Sequence, residues 1–302
     1  KFKKGERDIF KNLNISYKWN MKLELPKKQK MPKRRKITYI VLICICALAI
    51  SVAIGTQILG NDVVDNIFGL NKITKRTEEE EAALKVNFES LLDNTLLDKG
   101  NYTVQKNNQD KEIIYTEYSK QEKKDNHELD VNLPYINIKN EEVNKFNKEI
   151  KNTFEGKAEE VSQNTDENIL YTVKYKASIK ENILSLIIYS DLKQSSSAQR
   201  VIVQTFNYDL SQNKTLTFED AINEFKLKKN EVQTKINTDI QNEENKSEEL
   251  IKLGYNVFSR DTKSDIYKVE NISEYFIYNN NIYVIFAYGN DKMTSEKDIV
   301  II

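Results

Sequence analysis

The chain has 302 residues, enough for one or two domains with a sizeable core. Its 46 Lys/Arg and 46 Asp/Glu cancel only on average: residues 1–36 hold 14 bases and three acids, residues 37–60 hold no charge, and residues 61–302 hold 32 bases against 43 acids. An acidic bulk argues against a nucleic-acid surface, which needs clustered cations. One histidine, and no cysteine beyond residue 46, argue against a zinc centre or a disulfide framework downstream.

Residues 1–36 form a basic segment ending in "KMPKRRK". The uncharged run "ITYIVLICICALAISVAIG" follows at 37–55, and a transmembrane helix is predicted over 37–58. Its length suits a hydrocarbon core of roughly 30 Å. Flanking positive charge keeps the N-terminus in the cytoplasm and sends the C-terminal part outside the cell membrane. The alternatives are a cleaved signal peptide and a buried core helix, but a signal peptide's apolar core is about 7–15 residues long. Ala53 and Gly55 make a small-x-small pair at the outer end, a candidate processing site. Cys44 and Cys46 lie within the span and read as soft apolar residues. The abundance of Lys, Asn, Ile and Tyr points to an AT-rich genome, consistent with a Gram-positive source.

Residues 59–99 read as a stalk, with Glu78–Glu81 marking a solvated helix start rather than a metal site. Two β-rich runs come next, "KEIIYTEYS" and "HELDVNLPYINI". The second alternates Leu129, Val131 and Leu133 with polar residues, the period of a half-buried strand. Pro134 cannot donate to a ladder, so pairing should end there or the strand should lie at an edge. Val143, Phe146, Ile150, Phe154 and Val161 then recur at threes and fours, one amphipathic helix face. Strands are expected at Tyr171–Ile179, at "ILSLIIY" after the turn "KEN", and at "RVIVQTFNYDL". Thr217 and Asp220 predict a capping box that opens a short helix, and a longer helix starts near Asn230 with Val232, Ile236 and Ile240 on its inner face. "EYFIY-NNN-IYVIFAY" reads as a hairpin and "DIVII" as a final strand. The fold class expected is α+β: one transmembrane helix, then an extracytoplasmic antiparallel sheet packed with helices over 100–302, in sub-parts of about 100–180 and 181–302.

No catalytic, cofactor or metal residue stands out, and the chain does not read as an enzyme. A Ser-His-Asp triad would need His127 and one of Ser195, Ser196 and Ser197, but nothing in the spacing supports it. A Gly-x-Ser-x-Gly elbow is absent. The three serines read as a hairpin tip between two apolar runs. The acid excess favours a cationic partner by long-range attraction.

The order of "VNLPYINIKNEEVNKFNKEI", the run from Asn182 to Ile222 containing "NYDLSQNKTLTFEDAI", and "YFIYNNNIYVIFAY" resembles a two-part extracytoplasmic module. That module occurs in RsiV-type anti-sigma factors and beside the catalytic domain of a peptidoglycan deacetylase. The resemblance covers roughly 100–302; the deacetylase domain itself is missing. It implies a single-pass envelope sensor whose exterior binds a lysozyme-like cationic protein or peptidoglycan and whose cytoplasmic segment restrains a sigma factor. The alternative is a membrane-anchored, wall-associated binding protein with no sigma-factor role. The chain departs from the family where Ser196-Ser197-Ala198-Gln199 replaces a Gly-Gly-Ala-His pattern, and in "AYGNDKMTSEKDIV" near the end. Both departures fall in loops, where binding surfaces reside. The candidate ligand-binding residues are therefore Gln194, Ser195, Ser196, Ser197 and Gln199 on one loop and Asn290, Lys292 and Thr294 on the other. If the tip requires a positive φ, as paired glycines suggest, Ser196 and Ser197 carry the strain.

Overall fold

A computed structural model describes residues 73–92, 102, 104–164, 168–180, 182–288 and 295–302. The basic segment, the predicted span with Ala53 and Gly55, and the loop residues Asn290, Lys292 and Thr294 lie outside the described residues. Among the described residues, no helix is long and apolar enough to cross a membrane.

The fold is mixed α+β, with two sheets rather than one. Strands β1 (Ile114–Lys123), β2 (His127–Ile136), β3 (Ile169–Lys180), β4 (Ile183–Gln194), β5 (Arg200–Asp209) and β6 (Lys214–Thr215) lie in that order in a six-stranded sheet. Strands β7 (Tyr275–Tyr278), β8 (Asn281–Tyr288) and β9 (Glu296–Ile301) form a three-stranded antiparallel sheet. The expectation of an antiparallel sheet needs one correction, since β2 and β3 pair in parallel. The reason is their connection. The chain leaves β2, runs through α2 (Glu141–Ile150), a π-helical turn (Lys151–Glu155) and α3 (Gly156–Gln163), and returns to the same end of the sheet. A helical crossover is what parallel pairing requires.

Alternation along β4 explains the layers. Leu184, Leu186 and Ile188 face a core shared with Val143, Phe146, Ile150, Phe154, Ala158 and Val161 of the helical crossover. Ile187 and Tyr189 face the opposite way, onto Phe276, Tyr283 and Ile285 of the smaller sheet. Polar side chains fasten the two sheets. Ser185 Oγ accepts from the Ile277 N–H at 2.8 Å, Asn207 Nδ2 donates to the Tyr275 carbonyl at 2.8 Å, and the Thr205 N–H and Oγ1 donate to Glu274 at 2.6 and 2.9 Å. The outer face of the smaller sheet packs Val284 and Phe286 against α4 (Phe218–Glu224) and α5 (Lys229–Lys252), through Ile222, Val232, Ile236 and Ile240.

Local signals work as the sequence indicates. Thr217 and Asp220 form the capping box of α4, and Asn279 and Asn280 both take positive φ (48° and 64°) in the β7–β8 turn, as a two-residue hairpin demands. Gly254 (φ 89°) closes α5, with its N–H on the Ile251 carbonyl and the Tyr255 N–H on the Leu250 carbonyl, a Schellman ending. The stretch read as a stalk contains a packed helix, α1 (Glu78–Leu92). Thr77 and Glu80 cap it reciprocally, and Glu81 pairs with Lys235 at 2.6 Å. Phe88 is fully buried against the smaller sheet. The acid run does open a helix, but Glu81 serves a contact between helices rather than solvent alone. The sub-part border near 180 falls inside the β3–β4 hairpin.

Candidate functional site

The tip after β4 is a built turn. Ser195 enters the left-handed region at φ 41°, while Ser196 and Ser197 do not. The strain expected at Ser196 and Ser197 therefore sits one residue earlier. The Ser197 N–H donates to the Gln194 carbonyl at 2.8 Å, and Lys193 Nζ donates to the Ser197 carbonyl. The tip also docks sideways on the chain entering β3. The Ser195 N–H donates to the Asn168 carbonyl at 2.7 Å, and the Asn168 N–H returns to Ser195 Oγ at 3.3 Å. Gln199 spans the hairpin base, its Nε2 donating to Asp191 at 2.9 Å. Ser195, Ser196 and Ser197 are exposed; Gln194 and Gln199 are half-buried.

Gln199 also joins the tip to the second candidate loop. Its carbonyl accepts from the Ser295 N–H at 2.8 Å. Ser295, directly before β9, therefore lies beside the tip. The end of β8 and the start of β9 are anchored in a buried polar cluster that sequence reasoning missed. Arg260 binds Asp298 through Nε and through Nη2, the latter at 2.8 Å. Tyr288 donates to Asp298 at 2.7 Å, and its hydroxyl meets that of Tyr267 at 2.8 Å. The Phe258 N–H donates to Glu296 at 3.1 Å. A signal existed: in a chain that mostly uses Lys, an isolated Arg favours a buried two-point carboxylate contact.

His127 is buried two strands from the tip. His127 pairs with Ile169, which pairs with Gln194; two strand spacings set their Cα atoms about 10 Å apart. Its Nε2 meets Glu122 Oε1 at 3.0 Å and its Nδ1 meets Asn126 Oδ1 at 3.2 Å. Asn126 Nδ2 donates to the Asn164 carbonyl at 2.6 Å, which leaves Oδ1 facing the ring. Glu122 also accepts from Lys124 and from Ser162 Oγ, the latter at 3.0 Å. Hydrogen bonds from Lys124, His127 and Ser162 hold its carboxyl down at about 2. Both ring nitrogens therefore serve a clasp between the β1–β2 turn and the end of α3, not a serine.

Between tip and clasp lies an open recess of about 640 Å³ lined by Lys123, Lys124, His127, Asn168, Lys193 and Ser195. Its charge is mixed: Lys123 pairs with Glu128 at 2.7 Å and Lys124 with Glu122. The acid excess of residues 61–302 is not concentrated here. The corner offers hydroxyls, amides and ammonium groups suited to hydrogen-bonded contact.

No protein-family model matches the chain, and no curated protein matches its sequence. Among solved structures, the chain is similar to a DUF3298 family protein from Pseudomonas aeruginosa PAO1, with a TM-score of 0.34, 8% identity, and coverage of 67% of this chain and 91% of that one. It is also similar to a member of the DUF3298 family from Bacteroides fragilis, with a TM-score of 0.32, 9% identity, and coverage of 57% and 81%. At these scores the likeness carries no statement about ligand or partner.

Proposed function

We propose that the protein is a single-pass envelope sensor of the anti-sigma type. Its basic N-terminal segment restrains an extracytoplasmic-function sigma factor in the cytoplasm, and its exterior binds a lysozyme-like cationic protein or a wall component at the Gln194–Gln199 tip. The observation that supports a binding edge at the tip is the hydrogen bond from the Ser295 N–H to the Gln199 carbonyl, which ties the residue before β9 to the loop that departs from the resembled family. The charge plan supports the topology: 14 bases and three acids before an uncharged run, and an acid excess after it. That excess draws a basic protein toward the exterior. The sigma-factor role rests on the resemblance.

Two experiments test the reading. Full-length protein purified from membranes should carry a sigma factor that is lost on deleting residues 1–30; recovery of none ends the anti-sigma role. Full-length protein in micelles should bind lysozyme with an affinity that falls steeply with salt. Gln199→Lys should weaken that binding about tenfold, since each tenfold step is only about 1.4 kcal/mol. Unchanged binding by Gln199→Lys would remove the tip from the site.

A further inference from the structure

Three departures from regular geometry meet at one groove, on the far side of the β2 crossover from the tip. The first is in β1, where the register slips between Thr116 and Tyr118, leaving Glu117 as an extra residue opposite the Leu133–Pro134 step. The second is in β2, where parallel pairing with β3 stops at Val131. The third is the π-helical turn Lys151–Glu155 in the crossover. Bulges and π-turns both recur beside functional sites. Here they open a groove of about 380 Å³ between β2 and the helix, within the range of about 300–1,000 Å³ typical of small-ligand sites.

The floor is apolar, made by Leu133, Pro134 and Ile150. The helical wall presents Asn144, Lys148, Lys151 and Glu155, whose spacings of four, three and four form a single stripe. Glu117 and Tyr135 complete the rim. Tyr135 is half-buried and backed by Tyr115, with ring centroids 5.4 Å apart. Asn144 Oδ1 accepts from Asn107 at 3.2 Å, which turns its Nδ2 donors outward. Two acids and two bases make the rim neutral in sum.

The groove does not invite an added strand. On the edge that β3 leaves, Pro134 has no N–H, and Asn147 already takes both the N–H and the carbonyl of Ile136, at 3.0 and 2.8 Å. A peptide binding by strand addition needs those groups free. What remains is an aromatic platform, an apolar floor and convergent donors and acceptors without net charge. That combination fits a neutral sugar ring bearing an apolar substituent. Such a ring would stack on Tyr135, with the methyl of an acetamido group on the Leu133 and Pro134 floor and hydroxyls toward Glu117, Asn144 and Lys148.

We propose that this groove binds an N-acetylated hexosamine chain. The site is separate from the tip and does not depend on the sensor reading. The test is calorimetric titration of the full-length protein in detergent micelles with chitotetraose, using cellotetraose, which lacks acetamido groups, as the control. Chitotetraose should bind at least about tenfold more tightly than cellotetraose, a gap of about 1.4 kcal/mol. Tyr135→Ala and Lys148→Glu should each weaken chitotetraose about tenfold, while Tyr135→Phe, which keeps the ring, leaves it unchanged. Lys148 is exposed, so its variant keeps the test valid if Tyr135→Ala unfolds. Absence of chitotetraose binding, equal affinity for the two sugars, or full affinity in Lys148→Glu would each overturn the proposal.

Discussion

His127 and Ser195 show how a suspicious residue pair resolves into two separate tasks. The histidine is committed to Glu122 and Asn126, and the serine hydroxyl to Asn168. The Glu122 clasp has a defined acid response. Its folded-state value of about 2 lies below its ordinary 4.5. A depressed carboxyl stabilises the fold fully above its unfolded value, and the contribution disappears as pH falls from about 4.5 toward 2. Glu122→Gln should therefore be less stable than the parent near neutral pH, and the gap should close on acidification. Urea melts at several pH values will read this; a gap at pH 2.5 as wide as at neutral pH would sink it. Ser195 shows a limit of sequence reading. Three adjacent serines look alike in a string, and only the docking onto Asn168 decides which one takes the positive φ.

Elements were legible in proportion to how locally their signals act. The capping box of α4, the Asn-Asn turn and the apolar stripe of the crossover helix are set by neighbours within a few residues, and each appears where the sequence places it. Pro134 reads correctly on one side only: pairing with β3 ends at Val131, before it, but pairing with β1 runs through it to Ile136. The parallel β2–β3 pair was available from the long helical connection alone but is masked by the hairpins around it. The π-turn and the Glu117 bulge have no local signature, so the groove they create was invisible. Asn147 holds one end of that groove by standing in for a missing strand. Asn147→Ala strands two backbone groups of Ile136 in a buried site, at a cost of about 1–3 kcal/mol per unsatisfied group. Denaturant titration should show the loss, with amide exchange quickened at Ile136. Protection there equal to the parent would mean that water replaces the side chain.

At the scale of the whole molecule, hydrophobic clusters tie distant parts of the chain together. The two sheets share Ile187, Tyr189 and Val203 on one side with Phe276, Tyr283 and Ile285 on the other, and α1 covers that seam with Phe88 and Leu92. Alternation in β4 hinted at burial on both faces, but it could not say that a second sheet, rather than more helices, would lie against the far face. Phe88→Ala should cost about 3–5 kcal/mol, as large-to-small changes in a packed core do. The melting transition will measure it, and a loss below about 1 kcal/mol would mean that α1 is not integral to the core.

The docking of α1 also sets an order of events. Phe88 meets Tyr283 with ring centroids 5.5 Å apart, although roughly 200 residues of chain separate them, and contacts of such long range form late. The receiving surface does not exist until β7 and β8 have paired. During synthesis, α1 emerges first and waits, with its apolar face uncovered, for the segment it will cap. The interval is a window of vulnerability to proteases and chaperones. The attachment of α1 thus reports that the smaller sheet has formed.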